Sequence, residues 1–180
     1  MNKTEIRLVF QNHLSALSDL ERGTLMQKMG TLVVAHHRFK AADTVALSLS
    51  QGFELPTLAL VQIAQQLNKR VVVPKVEAKR RMNFHEITTS TQYTKSSFGI
   101  LEPTDAPIVA AADIDLFIVP GLGFSADGQR VGFGGGYYDR YLAQAAGYKL
   151  GVTIQSNYLS QPMWPVELTD IKMDEILILD

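Results

Sequence analysis

The sequence predicts an α/β fold in which a mostly parallel sheet lies between helices on both faces, a three-layer arrangement. Short apolar runs rich in β-branched residues, typical of buried strands, recur at residues 44–50, 70–74 and 115–119. Helical patterns precede and separate these runs, and such alternation indicates parallel strands joined by crossover helices. With 46% hydrophobic residues, the 180-residue chain is long enough for one substantial core. We therefore expect a single domain over residues 1–180.

The charge balance argues against two classes of partner. The formal net charge is −1, so no general basic field exists to attract nucleic acid or anionic lipid. No apolar run approaches the roughly 20 residues of a membrane span. Cysteine is absent, which suits a reducing compartment. We expect a cytoplasmic, monomeric protein that binds neither nucleic acid nor membranes.

The first 40 residues are predicted to form two helices. In the first, apolar residues recur at steps of three and four up to about residue 17. Lys3 and Arg7 are four apart and share a face, which from periodicity alone indicates a solvated basic edge. Residues 18–21, SDLE, form a capping box that opens a second helix running to about residue 39. Its adjacent His36 and His37 should point to different sides, as structural or exposed residues.

Glu54 is the first candidate binding residue. It follows the strand at residues 44–50, and a helix is expected to open at Pro56. Open α/β sheets bind ligands in such loops at the carboxyl ends of their strands. Alternatively, Glu54 only complements the dipole of the next helix. We expect Lys75 just after the strand at 70–74, with its role open.

The middle of the chain shows weaker patterns. Residues 82–87 alternate apolar and polar side chains, which indicates a half-buried strand outside the parallel order. Residues 88–95 are polar, and we expect a loop or a short helix there. A final strand is expected at residues 175–179, after a further one at 149–153.

A glycine-rich segment, IVPGLGFSADGQRVGFGGGYYDRYL, follows the strand at 115–119. Glycines let the backbone adopt positive φ and expose its N–H groups, and the helix expected from residue 137 to about 146 adds a positive dipole end. This combination predicts a phosphate-binding loop, whose glycines are Gly132, Gly134, Gly135 and Gly136.

Charged and aromatic side chains flank this loop. Arg130 offers a planar fork for phosphate oxygens, Asp139 a hard oxygen for Mg²⁺, and Tyr137 and Tyr138 flat faces with polar tips. The alternative is a tight turn with Arg130 and Asp139 as a surface ion pair. Neither the GxxxxGK[ST] motif nor the dinucleotide-binding fingerprint fits.

An acidic turn precedes the final strand. Asp170 and Asp174 flank residues 171–173 and could serve as ligands for a hard cation. Such pairs are more often turn or cap residues.

The string PGLGFSADGQRVGFGGGYYDRYL closely resembles the signature of the 5-formyltetrahydrofolate cyclo-ligase family, PGxxFxxxGxRxGxGxGYYDxxL. The resemblance implies an ATP-dependent C–N bond-forming ligase that converts 5-formyltetrahydrofolate to 5,10-methenyltetrahydrofolate, ADP and phosphate. ATP would phosphorylate the formyl oxygen, and N10 would then close the ring. Mg²⁺ is the implied cofactor, with ATP and 5-formyltetrahydrofolate as the implied partners.

The resemblance also implies residue roles. Three cations are implied to contact the ATP phosphates and to be catalytic: Lys3, Arg7 and Arg130. The implied ATP site adds Gly132, Gly134, Gly135, Gly136, Tyr137 and Tyr138. The implied folate site comprises Leu49, Glu54, Phe133, Gly134, Gly135, Gly136 and Tyr137. Asp139 and Asp170 are the implied Mg²⁺ ligands.

Four further positions concern the family pattern. Glu102 is expected to be structural, and Phe98 to be a wall against a pterin or aminobenzoyl ring. Bacterial relatives often carry a histidine where this chain has Thr169, and tyrosine or arginine is commoner at the position of Phe133. Both departures concern details of substrate contact.

Two other functions stay open from the sequence. A family member without turnover would bind nucleotide or folate, but it should lack a metal aspartate or Glu54. An unrelated sugar-phosphate isomerase on a similar fold would need a phosphate loop and no ATP.

Overall fold

The computed structural model describes residues 1–96 and 99–180. The helices of this part of the chain are α1 (Lys3–Ser15), α2 (Asp19–Ala35), α3 (His37–Ala41), α4 (Leu58–Gln66) and α5 (Tyr137–Leu142). Its strands are β1 (Thr44–Ala46), β2 (Arg70–Glu77), β3 (Arg81–Ile87), β4 (Gln92–Lys95), β5 (Leu101–Thr104), β6 (Ile108–Val109), β7 (Leu116–Val119), β8 (Gly123–Ser125), β9 (Arg130–Val131), β10 (Tyr148–Ile154), β11 (Tyr158–Leu159) and β12 (Glu175–Leu179).

The main sheet has the order β12-β10-β7-β1-β2-β3-β6. Its first five strands are parallel, β3 pairs antiparallel with β2, and β6 pairs antiparallel with β3 at one edge of the sheet. The predicted mostly parallel sheet is therefore confirmed, together with a strand outside the parallel order at residues 82–87.

Helices cover both faces of this sheet unequally. On one face α1 to α4 pack, through residues such as Phe10 and Met29, against strand residues that include Leu116. On the other face α5 contributes Tyr141 to a cluster that contains Phe117. Leu116 and Phe117 fall in different layers because successive strand residues point to opposite faces. The predicted three-layer arrangement is thus present, with one short helix as most of the helical cover on its second face.

The predicted second helix is interrupted. Ser18 and Glu21 form the expected capping box, but α2 ends at Ala35. His36 adopts an extended backbone, and its Nδ1 accepts a hydrogen bond from the Arg38 N–H at 3.2 Å, which caps α3. The expectation that His36 and His37 point apart was wrong, because they do not share one helix. Their rings lie 4.6 Å apart between centroids.

Tertiary pairing changes other predicted bounds. Pairing with β3 extends β2 to Glu77, so Lys75 lies inside the strand and its Nζ donates to the Pro103 carbonyl at 2.9 Å. Residues 92–95, expected as loop or helix, form β4 because they pair with β5. The helix expected over residues 137–146 ends at Leu142, and α4 begins at Leu58 rather than at Pro56.

The order of the strands creates a crevice at one sheet edge. From β1 the chain crosses to β2 on one side, and it later returns to place β7 on the other side of β1. Open α/β sheets bind ligands at this kind of reversal, outside the carboxyl ends of the strands. Among the described helices, none combines the length and the apolar character needed to cross a membrane.

Candidate active site

A cavity of about 1080 Å³ opens at the crevice between the ends of β1 and β7. Its walls come from α1, the loop after β1, the β2–β3 hairpin, the glycine loop before α5 and the turn before β12. The residues that the family resemblance implied to be catalytic, or to bind ATP, folate or Mg²⁺, all line it: Lys3, Arg7, Leu49, Glu54, Arg130, Gly132, Phe133, Gly134, Gly135, Gly136, Tyr137, Tyr138, Asp139 and Asp170. The structure therefore brings together residues that are far apart in the sequence, while their individual roles stay predictions.

Lys3 links the first helix to the last turn of the chain. Its Nζ donates to both carboxylate oxygens of Asp170, at 2.9 and 2.8 Å, and to Glu167 Oε1 at 3.1 Å. Partial burial lowers the pKa of Lys3, but the bonds to the two carboxylates outweigh this effect and the pKa is raised overall. Lys3 is therefore a fully charged ammonium group at neutral pH.

Arg7 lies one turn further along α1 and reaches the glycine loop. Its Nε donates to the Gly132 carbonyl at 2.9 Å. No carboxylate of the described residues forms an ion pair with Arg7. Its guanidinium is thus fixed beside the loop while its charge stays available to an anion.

The glycine loop has little room for side chains. Gly134 and Gly136 have φ values of +100° and +64°, a region that residues with a Cβ rarely adopt. A Cβ on Gly134 would also lie 3.4 Å from Cζ of Arg7, and one on Gly132 would lie 2.6 Å from Nη1 of Arg130. Glycine therefore allows the loop backbone to pass directly over two arginine side chains.

Arg130 is held beneath this loop. It donates from Nη2 to Asp139 Oδ1 at 3.0 Å and from Nη1 to the Pro120 carbonyl at 3.1 Å. Its side chain is only 5% exposed, and Cζ lies 5.6 Å from the ring centroid of Tyr138. The ion pair that the sequence left open does exist, but it is buried at the cavity instead of lying on the surface.

Asp139 and Asp170 both line the cavity, and a backbone hydrogen bond ties Asp139 to the turn that carries Asp170. The N–H of Ile171, the residue after Asp170, donates to Asp139 Oδ1 at 3.2 Å. The described residues contain no cluster of three or more acidic or histidine side chains that could form an all-protein metal cage. Mg²⁺ is usually bound by one or two carboxylates together with phosphates and water, so this pair fits Mg²⁺ bound with a nucleotide. Asp174 points elsewhere, since its Oδ2 accepts from the Lys149 N–H at 2.7 Å.

The other wall of the cavity is more apolar. Phe133 packs near Phe53, with 6.4 Å between ring centroids, beside Leu49 and Glu54. Burial raises the pKa of the Glu54 carboxyl, while the hydrogen bond from the Gln51 N–H partly opposes the rise. Burial also raises the pKa of Tyr138 far above its ordinary range, so the phenol stays protonated. The predicted wall residue Phe98 lies outside the described residues.

Residues 1–179 match the family model described as the 5-formyltetrahydrofolate cyclo-ligase family. The chain belongs to this family. The cyclo-ligase of Mus musculus is 28% identical over 99% of this chain and 94% of its own length, and that of Mycoplasma pneumoniae is 31% identical over 97% and 100%. The structure of an Aquifex aeolicus 5,10-methenyltetrahydrofolate synthetase superposes with a TM-score of 0.88 at 30% identity, covering 99% of this chain and 90% of that one.

These matches confirm the cyclo-ligase family, and with it an enzyme, as predicted from the glycine-rich segment. Sequence reasoning missed several cavity residues, however: Pro74, Val76, Met82, Ile100, Leu101, Arg140, Glu167 and Leu168. Arg140 could have been found, because it continues the segment that carries Tyr137 to Asp139. The apolar residues carried no signal of their own, since core and cavity strands show the same alternation. Thr169 also lines the cavity.

Proposed function

We propose that this chain converts 5-formyltetrahydrofolate to 5,10-methenyltetrahydrofolate in a reaction that consumes ATP and requires Mg²⁺. The observation that carries the proposal is the meeting of Lys3, the glycine loop and Asp170 around one cavity. A volume of about 1080 Å³ is at the upper end of ligand pockets, which leaves room for two substrates side by side.

The proposed reaction activates a poor leaving group. The formyl oxygen on N5 attacks the γ-phosphorus of ATP, and the bond from that phosphorus to the β,γ-bridging oxygen breaks to release ADP. N10 then attacks the formyl carbon and loses its proton. The former formyl oxygen finally leaves as inorganic phosphate, which gives the 5,10-methenyl product. No enzyme side chain becomes covalently attached, in keeping with a chain that has no cysteine.

The cations have the task of binding and aligning the phosphates. Phosphoryl transfer depends mainly on positioning and on stabilising charge at the transferred group. Lys3 and Arg130 already form ion pairs at the cavity, so incoming phosphate oxygens replace or share carboxylate partners that each cation has. Arg7 brings a charge with no such partner among the described residues. The N–H groups of Gly134 to Gly136 add neutral donors to the phosphates.

Asp139 and Asp170 are the proposed Mg²⁺ ligands. When bound, Mg²⁺ neutralises phosphate charge and orients the γ-phosphate for in-line attack. The two carboxylates are partly exposed, at 23% and 12% of their side chains, so they are accessible from the cavity.

The folate is assigned to the opposite wall. Leu49 and Phe133 offer apolar surface to its flat ring system, and Glu54 offers an acceptor for ring N–H groups. This arrangement would direct the formyl group towards the phosphate end of the cavity, across Gly134 to Gly136 and Tyr137.

Ligand screening followed by turnover measurement tests the proposal. Thermal-shift assays with Mg²⁺-ATP, 5-formyltetrahydrofolate and sugar phosphates should show stabilisation by the first two alone. Absorbance of the methenyl product should then rise only when ATP, Mg²⁺ and 5-formyltetrahydrofolate are all present. Binding without any absorbance change would favour the non-catalytic alternative, and stabilisation by sugar phosphates alone would contradict the proposal.

A further inference from the structure

Arg22 on α2 makes an unusual set of contacts near the cavity without lining it. Its Nη1 donates to two backbone carbonyls, that of Phe53 at 3.1 Å and that of Glu54 at 3.3 Å, and its Nη2 donates to the Leu14 carbonyl. No carboxylate of the described residues pairs with it. A half-buried guanidinium thus binds backbone oxygens alone, which makes it a clamp for the chain segments that carry them.

The segment that Arg22 holds is the tip of the loop after β1. This tip turns through Gly52, with φ +55°, and the Glu54 N–H donates back to the Gln51 carbonyl at 3.0 Å. It carries Glu54 and also Phe53, whose ring packs near Phe133 of the glycine loop. The position of the tip therefore sets both the carboxyl group and part of the apolar wall of the cavity.

The base of the same loop is held independently of Arg22. Ser50 and Thr57 exchange hydrogen bonds, with the Ser50 N–H donating to Thr57 Oγ1 at 3.0 Å and the Thr57 N–H donating to Ser50 Oγ at 2.9 Å. Thr57 Oγ1 also donates to the Ser48 carbonyl at 2.6 Å. Removing the guanidinium should therefore loosen the tip while the loop stays attached to the sheet.

The third bond of Arg22 connects this tip to α1. Leu14 lies in the last turn of α1, the helix that carries Lys3 and Arg7 at its other end. One side chain thus fixes the wall with Glu54 relative to the helix with the phosphate-binding cations.

We propose that Arg22 is a positioning residue that holds Glu54 and Phe53 in place for the folate, without touching either substrate itself. This inference rests on the proposed function, because it assumes that Glu54 binds the folate. It implies that Arg22 governs folate affinity and leaves ATP affinity nearly unchanged.

Isothermal titration of 5-formyltetrahydrofolate and of Mg²⁺-ATP into Arg22→Gln, Arg22→Lys and the wild type tests it. Hydrogen bonds to a charged group are strong enough that losing two at the tip should weaken folate binding on the order of tenfold. Mg²⁺-ATP affinity should change less than about twofold. Lysine keeps the charge but has fewer donors than arginine, so Arg22→Lys should give intermediate folate affinity. Arg38→Gln is the matched control, because Arg38 lies on α3 beside the amino ends of the strands, and this variant should bind both ligands as the wild type does.

A double-mutant cycle with Glu54→Gln distinguishes positioning from general support of the fold. If Arg22 acts through Glu54, then Arg22→Gln should add little to the loss caused by Glu54→Gln. Unchanged folate affinity in Arg22→Gln, equal losses for both ligands, or fully additive losses would overturn the inference. Should Arg22→Gln fail to fold, Arg22→Lys decides by the same criteria. A wild-type protein that binds no 5-formyltetrahydrofolate would contradict the proposed function itself, whereas normal folate binding by Arg22→Gln contradicts the role of Arg22 alone.

Discussion

The amino ends and the carboxyl ends of the parallel strands carry similar side chains but differ in what those side chains enclose. At the amino ends, Glu175 accepts a hydrogen bond from the Tyr148 hydroxyl at 2.9 Å and pairs with His36 at 3.1 Å. Arg38 lies over the Tyr148 ring at 4.5 Å. At the carboxyl ends, Lys3 and Arg130 also pair with carboxylates, but they do so around a large cavity.

This difference shows that ion pairs alone do not identify a functional site. At the amino ends, Gly147 is packed so closely that a Cβ would lie 2.2 Å from the Ile114 carbonyl oxygen. At the carboxyl ends, Gly134 and Gly136 have positive φ and line the cavity. Charged residues become a candidate site where the backbone leaves a cavity for a ligand that can compete for them.

Replacing one arginine at each end of the parallel strands should give the largest contrast in turnover. Arg130→Ala removes a cation from the proposed phosphate site, and the loss of such a group costs on the order of 3 kcal/mol in the transition state, a few hundredfold in rate. Arg38→Ala should turn over at a near-normal rate. Methenyl absorbance measures both, and circular dichroism checks that both variants fold. Near-normal turnover in Arg130→Ala would count against its catalytic role.

Substituting one glycine at each end of the strands separates effects on ligand binding from effects on stability. Gly134→Ala places a side chain at φ +100° beside Arg7, and we expect ATP affinity to fall on the order of tenfold. Gly147→Ala instead clashes with backbone atoms, and we expect it to lower the free energy of unfolding by about 2–4 kcal/mol with unchanged ATP affinity in the folded protein. Titration calorimetry and urea unfolding measure the two quantities. Equal loss of ATP affinity in both variants would remove the distinction between the two ends of the strands.

The two aspartates around the last turn offer a third comparison. Asp170 lines the cavity, whereas Asp174 accepts a hydrogen bond from the Lys149 N–H at the amino ends of the strands. Asp170→Asn should raise the Mg²⁺ concentration for half-maximal turnover at least about tenfold, as loss of metal-site groups commonly does. Asp174→Asn should leave it unchanged. Turnover measured against Mg²⁺ concentration at saturating ATP decides the matter, and identical curves would remove Asp170 from the metal site.

The smallest expected effect is a pH dependence at the amino ends of the parallel strands. Partial burial pushes the pKa of Glu175 up, but hydrogen bonds from Tyr148 and His36 outweigh it and hold the pKa below the ordinary 4.5. A carboxylate with a lowered pKa stabilises the fold above its unfolded pKa, and this contribution is lost as pH falls through the folded value.

Glu175→Gln should therefore lower the free energy of unfolding at pH 7 and lose this disadvantage below pH 4.5. Since the Glu175 side chain is 41% exposed, screening keeps the difference below about 1 kcal/mol. Urea unfolding of both proteins at the two pH values measures it. A difference that grows as pH falls would contradict the assignment.

The sequence predicted the parts of the fold that depend on local pattern. The alternation of apolar strands and helices gave the parallel sheet, and the serine and glutamate of the capping box gave the start of α2. The errors arose where distant pairing decides the structure. Residues 92–95 are polar and become a strand only because β5 lies beside them. His36 likewise adopts an extended backbone between α2 and α3 and bonds to Glu175, 139 positions away in the chain, a contact that no local pattern indicates.

The candidate site could be predicted to a similar degree. Lys3, Arg7 and the residues from Arg130 to Asp139 were recognised from the family motif, and all of them line the cavity. Neither the burial of Arg130 nor the clamp by Arg22 was visible beforehand. Both depend on carbonyl groups, such as that of Pro120, whose positions follow from the fold rather than from residue identity.

The bond between Lys3 and Asp170 spans 167 positions of the chain and forms one wall of the cavity. Because Asp170 is synthesised 167 positions after Lys3, a growing chain cannot complete the proposed phosphate site before it reaches this turn. A ligand that contacts both Lys3 and Asp170 also opposes their separation. At a concentration one hundred times its dissociation constant it would add about 2.7 kcal/mol to the stability of the whole chain.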